Sequence, residues 1–173
     1  MTIQTERLTL RPFTMRDLKT THAYASDPDN TPYMLHLPNG DRQATKQFLR
    51  AVTSDWEKKP QRRFEFAVEL NGSHIGAVSV HLDEDGQQGE LGWIIHKAHW
   101  GNGYATEAAM AVMGFAREAL GVKKLIARCD ARNAASARVM EKLGMALERE
   151  DGVRYYMGCD GPARELTYSV TQP

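Results

Sequence analysis

Apolar and polar residues alternate along this chain with two different periods, and each switch between them marks an element. Residues 7–13, Arg-Leu-Thr-Leu-Arg-Pro-Phe, alternate until Pro12 interrupts, which predicts a first strand with one buried face. Residues 15–25 turn helical. Residues 26–40 mix Pro28, Pro32 and Pro38 with Asp27, Asp29, Asn30 and Asn39, a combination that breaks regular structure and predicts a loop able to wall a substrate cleft. Helical spacing returns over 41–58, where Ala44, Phe48, Ala51, Val52 and Trp56 fall near one stripe and Asp41 is placed to cap the start. Three strands follow over 64–70, 74–82 and 88–96. Asn71-Gly72 signals a tight hairpin turn between the first two, and Asp83-Glu84-Asp85-Gly86 a longer polar one between the next two.

The clearest helix spans 103–120, with Ala105, Ala108, Ala109, Val112, Met113, Ala116 and Leu120 on one face. Gly121 stops it as a left-handed C-terminal residue, and 124–129 then reads as a strand, giving a strand-helix-strand crossover. A short helix over 134–143 is capped by Asn133 and closed by Gly144, and strands over about 145–157 and 164–170 finish the chain.

A length of 173 residues is that of one ordinary domain, and 42% hydrophobic with 25% charged residues describes a chain that folds around its own core. Lys plus Arg number 22 and Asp plus Glu 22, which argues against a nucleic-acid binder. The chain lacks a basic start followed by an apolar stretch, and it lacks any run of about 18 apolar residues, so a cytoplasmic protein without a membrane partner is expected. Cys129 and Cys159 lack CxxC spacing and read as reduced thiols.

The candidate chemistry lies between the strand over 88–96 and the helix that follows, in Trp100-Gly101-Asn102-Gly103-Tyr104-Ala105-Thr106. A strand feeding a glycine-bearing turn that opens a helix leaves backbone N–H groups free to face an anion, with the helix dipole adding to the attraction. Gly101 and Gly103 would permit the backbone angles and the close approach of phosphate oxygens. The same pair also fits a plain tight turn. A dinucleotide-binding turn needs a third glycine where Thr106 stands, and a nucleotide P-loop needs Gly-Lys-Ser/Thr, which is absent.

Taken with its neighbours, this segment resembles the GNAT superfamily of N-acetyltransferases, and within it the RimJ/RimL-like group, across nearly the whole chain. Thr5-Glu6-Arg7-Leu8-Thr9-Leu10-Arg11-Pro12 is similar to that group's opening, Gly89-Glu90-Leu91-Gly92-Trp93 to its fourth strand, and Trp100 to Ala108 to its pyrophosphate loop. Asn133-Ala134-Ala135-Ser136 and Glu141-Lys142-Leu143-Gly144-Met145 resemble its last cofactor-facing helix. The resemblance implies an α/β (α+β) fold over 1–173: a mixed, mostly antiparallel sheet of about seven strands flanked by about four helices, splayed between its fourth and fifth strands. Acetyl-coenzyme A would lie in the opening, and a bulge in the fourth strand would expose backbone groups to it.

Carried over by position, the residues around Trp93, Ile94 and Ile95 are expected to bond the pantetheine amides. Trp100, Gly101, Asn102, Gly103, Tyr104, Ala105 and Thr106 would hold the pyrophosphate, with Asn133 and Ser136 as further cofactor contacts. Many relatives carry Gln or Arg where this chain has Trp100. Met140 stands where many carry the tyrosine that protonates the departing thiolate, which leaves Ser136 as the candidate thiol contact. Direct attack needs a neutral amine; an α-amino group of pKa about 8 is roughly a tenth neutral at pH 7, lysine below about a thousandth. Glu90 is the candidate base, directly or through water. His96 and His99 form a HxxH pair without a third ligand, so no metal is expected. Tyr155, Tyr156, Trp93 and His36 are candidates for the acceptor cleft. The acceptor would be a peptide N-terminus or a small-molecule amine, the assembly a monomer or homodimer, and the competing reading a non-catalytic acyl-coenzyme A-binding module.

Overall fold

The computed structural model describes residues 1–156 and 161–171. Its strands are β1 (Ile3–Gln4), β2 (Leu8–Pro12), β3 (Arg63–Leu70), β4 (Ser73–Leu82), β5 (Gln88–Ile95), β6 (Lys124–Asp130), β7 (Ala146–Arg154) and β8 (Ala163–Thr171). Its helices are α1 (Leu18–Ala25), α2 (Arg42–Asp55), α3 (Tyr104–Glu118) and α4 (Ala134–Lys142). The strands form one sheet in the order β1-β2-β3-β4-β5-β6-β8-β7, antiparallel except for the parallel pair β5–β6 that the α3 crossover joins. Eight strands replace the expected seven because Ile3 and Gln4 pair with Leu10 and Thr9.

Alternation along the strands sends side chains to two different layers. Leu10, Phe66, Val68, Val78, Val80 and Leu91 pack with Ala108, Ala109, Val112 and Ala116 of α3, all buried. The small residues on α3 let it lie close to the sheet. On the opposite face Phe13, Ala67 and Ala77 pack with Leu49 and Val52 of α2. Asp41 caps α2 by accepting from the Ala44 N–H at 2.8 Å. Trp56, Phe64, Phe66 and Phe115 close one end of the core in edge-on pairs with ring centroids 5.1–5.7 Å apart. Among the described residues no helix is long and apolar enough to cross a membrane.

The parting of β5 from β6 positions the site. β5 pairs with β4 from Gly89 to Ile95, but with β6 only at Gln88, Gly89 and Glu90. β6 continues to Asp130 paired with β8, so the sheet opens after Glu90 and Ile126. The expected bulge in the strand over 88–96 is absent: the β4–β5 register runs without a shift, and the shift nearby lies between Val68 and Glu69. Backbone groups of β5 are exposed through the loss of a neighbour, with no extra residue inserted. Of the C-terminal expectations, β7 ends at Arg154, and Cys159 lies outside the described residues.

Candidate active site

Beyond β5 the chain makes a short 3-10 turn over Lys97–His99 and enters the glycine loop. Gly101 has φ +78° and Gly103, the N-terminal cap of α3, φ +81°, angles that glycine adopts without the steric cost other residues meet. A Cβ on Gly101 would meet nothing within 4 Å, and on Gly103 the nearest atom would be Arg7 Nη2 at 3.6 Å. Among the described residues none of the backbone N–H groups from Gly101 to Thr106 has an intramolecular acceptor. Part of this is the general condition of a helix start, whose first turn has no partners within the helix. All of these residues except Asn102 border a cavity of about 520 Å³.

The loop is braced from behind. Arg7 Nη1 donates to the Asn102 carbonyl at 3.0 Å, while Nε and Nη2 reach the Glu107 carboxylate at 2.7 and 2.6 Å. Glu107 also accepts from Thr5 Oγ1 at 2.6 Å and from the Arg7 N–H at 2.8 Å. Burial pushes its carboxyl upward, but the bonds from Thr5 and Arg7 outweigh this and hold it below the ordinary glutamate value. The guanidinium also lies over the Tyr104 ring, 4.7 Å from its centroid. Trp100 Nε1 donates to the Ile95 carbonyl at 2.7 Å, so the residue that replaces Gln or Arg ties the loop to β5.

The cavity occupies the opening of the sheet. Trp93, Ile94 and Ile95 line it from β5; Asp29, Asn30, Pro32, Tyr33 and Met34 from the proline-rich loop; and Asn133, Ala135, Ser136, Arg138, Val139 and Lys142 from the α4 side. Pairing of Gly92 and Ile94 with β4 turns the peptide groups of Leu91, Trp93 and Ile95 toward the opening, as the bonds from Asn30 and Trp100 to the Ile95 carbonyl demonstrate. The loop wall is fastened by Asn30, buried, whose Nδ2 donates to the Ile95 carbonyl at 3.3 Å and whose Oδ1 accepts from the Lys97 N–H at 2.5 Å. Lys97 Nζ lies 2.7 Å from Asp27 and 3.0 Å from Asp29, and these carboxylates raise its pKa. Across the opening, Arg132 stacks on Tyr33 with 5.8 Å to the ring centroid and chelates Asp130, which also accepts from Tyr156 Oη at 2.8 Å. Arg132 holds the Asp130 carboxyl well below the usual carboxylate range; burial, then the bond to Asp130, pushes the Tyr156 phenol up to about 12.

The structure brings Trp93, Ile94, Ile95, Trp100, Gly101, Gly103, Tyr104, Ala105, Thr106, Asn133 and Ser136 to this one cavity. Asn102 is turned into the loop instead, its Nδ2 donating to the carbonyls of Trp100 at 2.9 Å and His99 at 3.2 Å. Glu90 stands apart from the cavity lining. It belongs to the part of β5 still joined to β6, and Arg128 takes both of its carboxylate oxygens, through Nε at 3.0 Å and through Nη2. Asn133 caps α4 by accepting from the Ser136 N–H at 3.1 Å. Met140 is 1% exposed and packs in the core.

Of the residues expected around the acceptor, Trp93 lines the cavity, Tyr156 borders a second hollow with Asp130 and Arg132, and Tyr155 is exposed. His96 turns its Nδ1 to the Ala98 N–H at 3.1 Å, and no cluster of three metal-ligating side chains occurs among the described residues. Sequence reading missed Asn30, the Arg7–Glu107 brace, Arg138 and Lys142. A polar residue in a proline-rich loop carries no mark of being buried, and the two halves of the brace lie 100 residues apart.

A family model described as an acetyltransferase (GNAT) domain matches residues 7–146. The uncharacterized N-acetyltransferase p20 of Bacillus licheniformis is 26% identical over 161 residues, covering 92% of this chain and 89% of that protein. A GNAT-family acetyltransferase from Bacillus anthracis superposes with a TM-score of 0.80 at 28% identity, covering 99% of this chain and 98% of the other. RimL, a ribosomal alpha-N-protein acetyltransferase solved with coenzyme A, superposes at 0.85 with 15% identity over 99% and 98% of the two chains, a likeness of fold. An open sheet, a glycine loop with free N–H groups and a family match over most of the sequence converge on one assignment: this chain belongs to the GNAT family of acetyl-coenzyme A-dependent acetyltransferases.

Proposed function

We propose that this protein moves the acetyl group of acetyl-coenzyme A directly to an amine, either the α-amine of a protein N-terminus or that of a small molecule. The observation that carries the reading is the row of unpartnered N–H groups from Gly101 to Thr106, opening on the cavity where β5 leaves β6. These donors suit a pyrophosphate, and the freed peptide edge at Trp93, with the Ile95 N–H beside it, suits the amides of a pantetheine arm; the Ile95 carbonyl is already held by Asn30 and Trp100. An N–H on the same edge would donate to the thioester carbonyl as negative charge gathers on its oxygen. The amine nitrogen then bonds to the acetyl carbon, the carbon–sulfur bond breaks, the thiolate departes toward Ser136, and the ammonium proton passes through water to Glu90. Residues 1–173 act as one transferase domain, in the cytoplasm, as a monomer or homodimer.

Met140 in the core and Glu90 off the cavity lining favour a second reading, a non-catalytic acyl-coenzyme A-binding module. Incubation with acetyl-coenzyme A and a panel of peptides and small amines separates the two. Release of free thiol with an acetyl mass increment on an acceptor is expected; saturable cofactor binding with no acceptor modified across the panel favours the binding module.

A further inference from the structure

The glycine loop supplies backbone dipoles to an anion but no positive side chain, since Trp100, Asn102 and Thr106 are uncharged and Arg7 is committed to Glu107. Full positive charge on the cavity lining comes from α4 instead. Arg138 and Lys142 both line it, both are exposed, and neither has a salt-bridge partner among the described residues. They are four residues apart, so they share one stripe of the helix and present their charges to one place. The single acid on the same lining, Asp29, is occupied by Lys97 at 3.0 Å. Trp100, 52% exposed on the lining, leaves indole surface open for a purine. The cavity thus holds two separate provisions for anions: neutral donors at the start of α3 and cations on α4.

Resting on the coenzyme A reading above, we infer that Arg138 and Lys142 form a subsite for the ribose 3′-phosphate of coenzyme A and set the preference of this enzyme for coenzyme A over its 3′-dephospho form. A phosphomonoester carries up to about two negative charges at pH 7, concentrated on three oxygens that match a guanidinium fork and an ammonium. The pyrophosphate is a diester-like anion already met by backbone donors, so the cations are free for the other phosphate.

The test is calorimetric titration of coenzyme A and of 3′-dephospho-coenzyme A against the wild type, Arg138→Ala, Lys142→Ala and the double variant. Both side chains are exposed, so the variants keep the fold, which thermal unfolding verifies. The wild type should bind coenzyme A at least about tenfold more tightly than the dephospho form. The double variant should bind the two alike, with its affinity for the dephospho form unchanged within about twofold, and Arg138→Lys should restore part of the preference. Equal wild-type affinities overturn the subsite. So does a double variant that loses affinity for both ligands in parallel, which would place the cations on the pyrophosphate. A wild-type chain that binds neither ligand overturns the coenzyme A reading itself, a result distinct from either.

Discussion

Gly103 joins a backbone demand to a chemical one. Its φ of +81° is costly for any residue with a Cβ and most costly for a β-branched one, about 1–3 kcal/mol. Gly103→Val should therefore lower stability by that amount while weakening coenzyme A binding by more than about tenfold, because relief of the strain moves the N–H groups that follow. Titration of the folded variant checks this, and full affinity would locate the pyrophosphate elsewhere. Ser136 and Glu90 make separate demands. Ser136→Ala should slow single-turnover acetyl transfer at every pH, because the bond it offers gains strength only as charge develops on sulfur. Glu90→Gln should slow transfer most at low pH and recover as pH rises, since solvent then supplies neutral amine. Glu90→Gln also breaks the pair with Arg128, so a loss independent of pH would assign Glu90 to structure alone.

Two helices depend on side chains outside them for the way they meet the cavity. The start of α3 is held by Glu107, which gathers Thr5 and Arg7 from the segment before β2, and by Arg7, which carries that hold on to the loop at Asn102. Arg7→Ala should raise KM for acetyl-coenzyme A about tenfold with a smaller change in kcat, because the cradle loses its position while the acceptor side is untouched. Arg7→Lys should recover only part, since an ammonium cannot span Glu107 and Asn102 as the guanidinium does. Steady-state kinetics with each variant decide it; an equal fall in kcat and kcat/KM would contradict a role confined to cofactor positioning. Asn133 does for α4 what Asp41 does for α2, with one difference: it also lines the cavity. Asn133→Ala should cost about 1 kcal/mol in chemical denaturation for the lost cap, and should weaken coenzyme A binding beyond what that loss explains.

Across the molecule, one half-buried histidine links the docking of α1 to pH. His74, at the start of β4, meets Thr20 of α1 through Nδ1 at 2.7 Å and the Gly76 carbonyl through Nε2 at 2.8 Å, with Phe13 and Tyr24 edge-on to its ring. Burial lowers its pKa from 6.5; Asp17, the Gly76 carbonyl and Glu69 pull it up, and Arg11 pushes it down, with burial prevailing. The folded value lies below the unfolded one, so the unfolded chain takes up the proton first as pH falls. The stability this provides is fully present above pH 6.5 and is lost as pH drops through the folded value. Urea unfolding should give a free energy that is level above about pH 7 and declines below it, and His74→Gln should flatten that part of the curve. An unchanged slope in the variant would assign the decline to other groups. Asp17 and Glu107, both held below their ordinary values of 3.8 and 4.5, add a second decline in more acidic solution.

The elements, the crossover and the glycine loop were legible in the sequence because each is written in neighbouring residues. Alternation in 64–70 and 74–82, the cap at Asp41, the stop at Gly121 and the Gly101–Gly103 pair need only a few positions of context, as does the family resemblance that ordered them. What only the tertiary structure decided are relations between distant residues. The parting of β5 from β6 after Glu90 depends on how far two distant strands stay paired, while β8 holds the other edge of β6 along its whole length. Arg7 finds Glu107 across 100 positions, and Asn30 finds Ile95 across 65. Glu90 illustrates the division: its neighbours in sequence place it on the strand that borders the site, while the register of β5 against β6 gives its carboxylate to Arg128. Hydrophobic period and turn chemistry act over a few residues, whereas strand partnership and ion pairing are settled when the sheet assembles, and the cavity between β5, the loop and α4 exists only after that assembly.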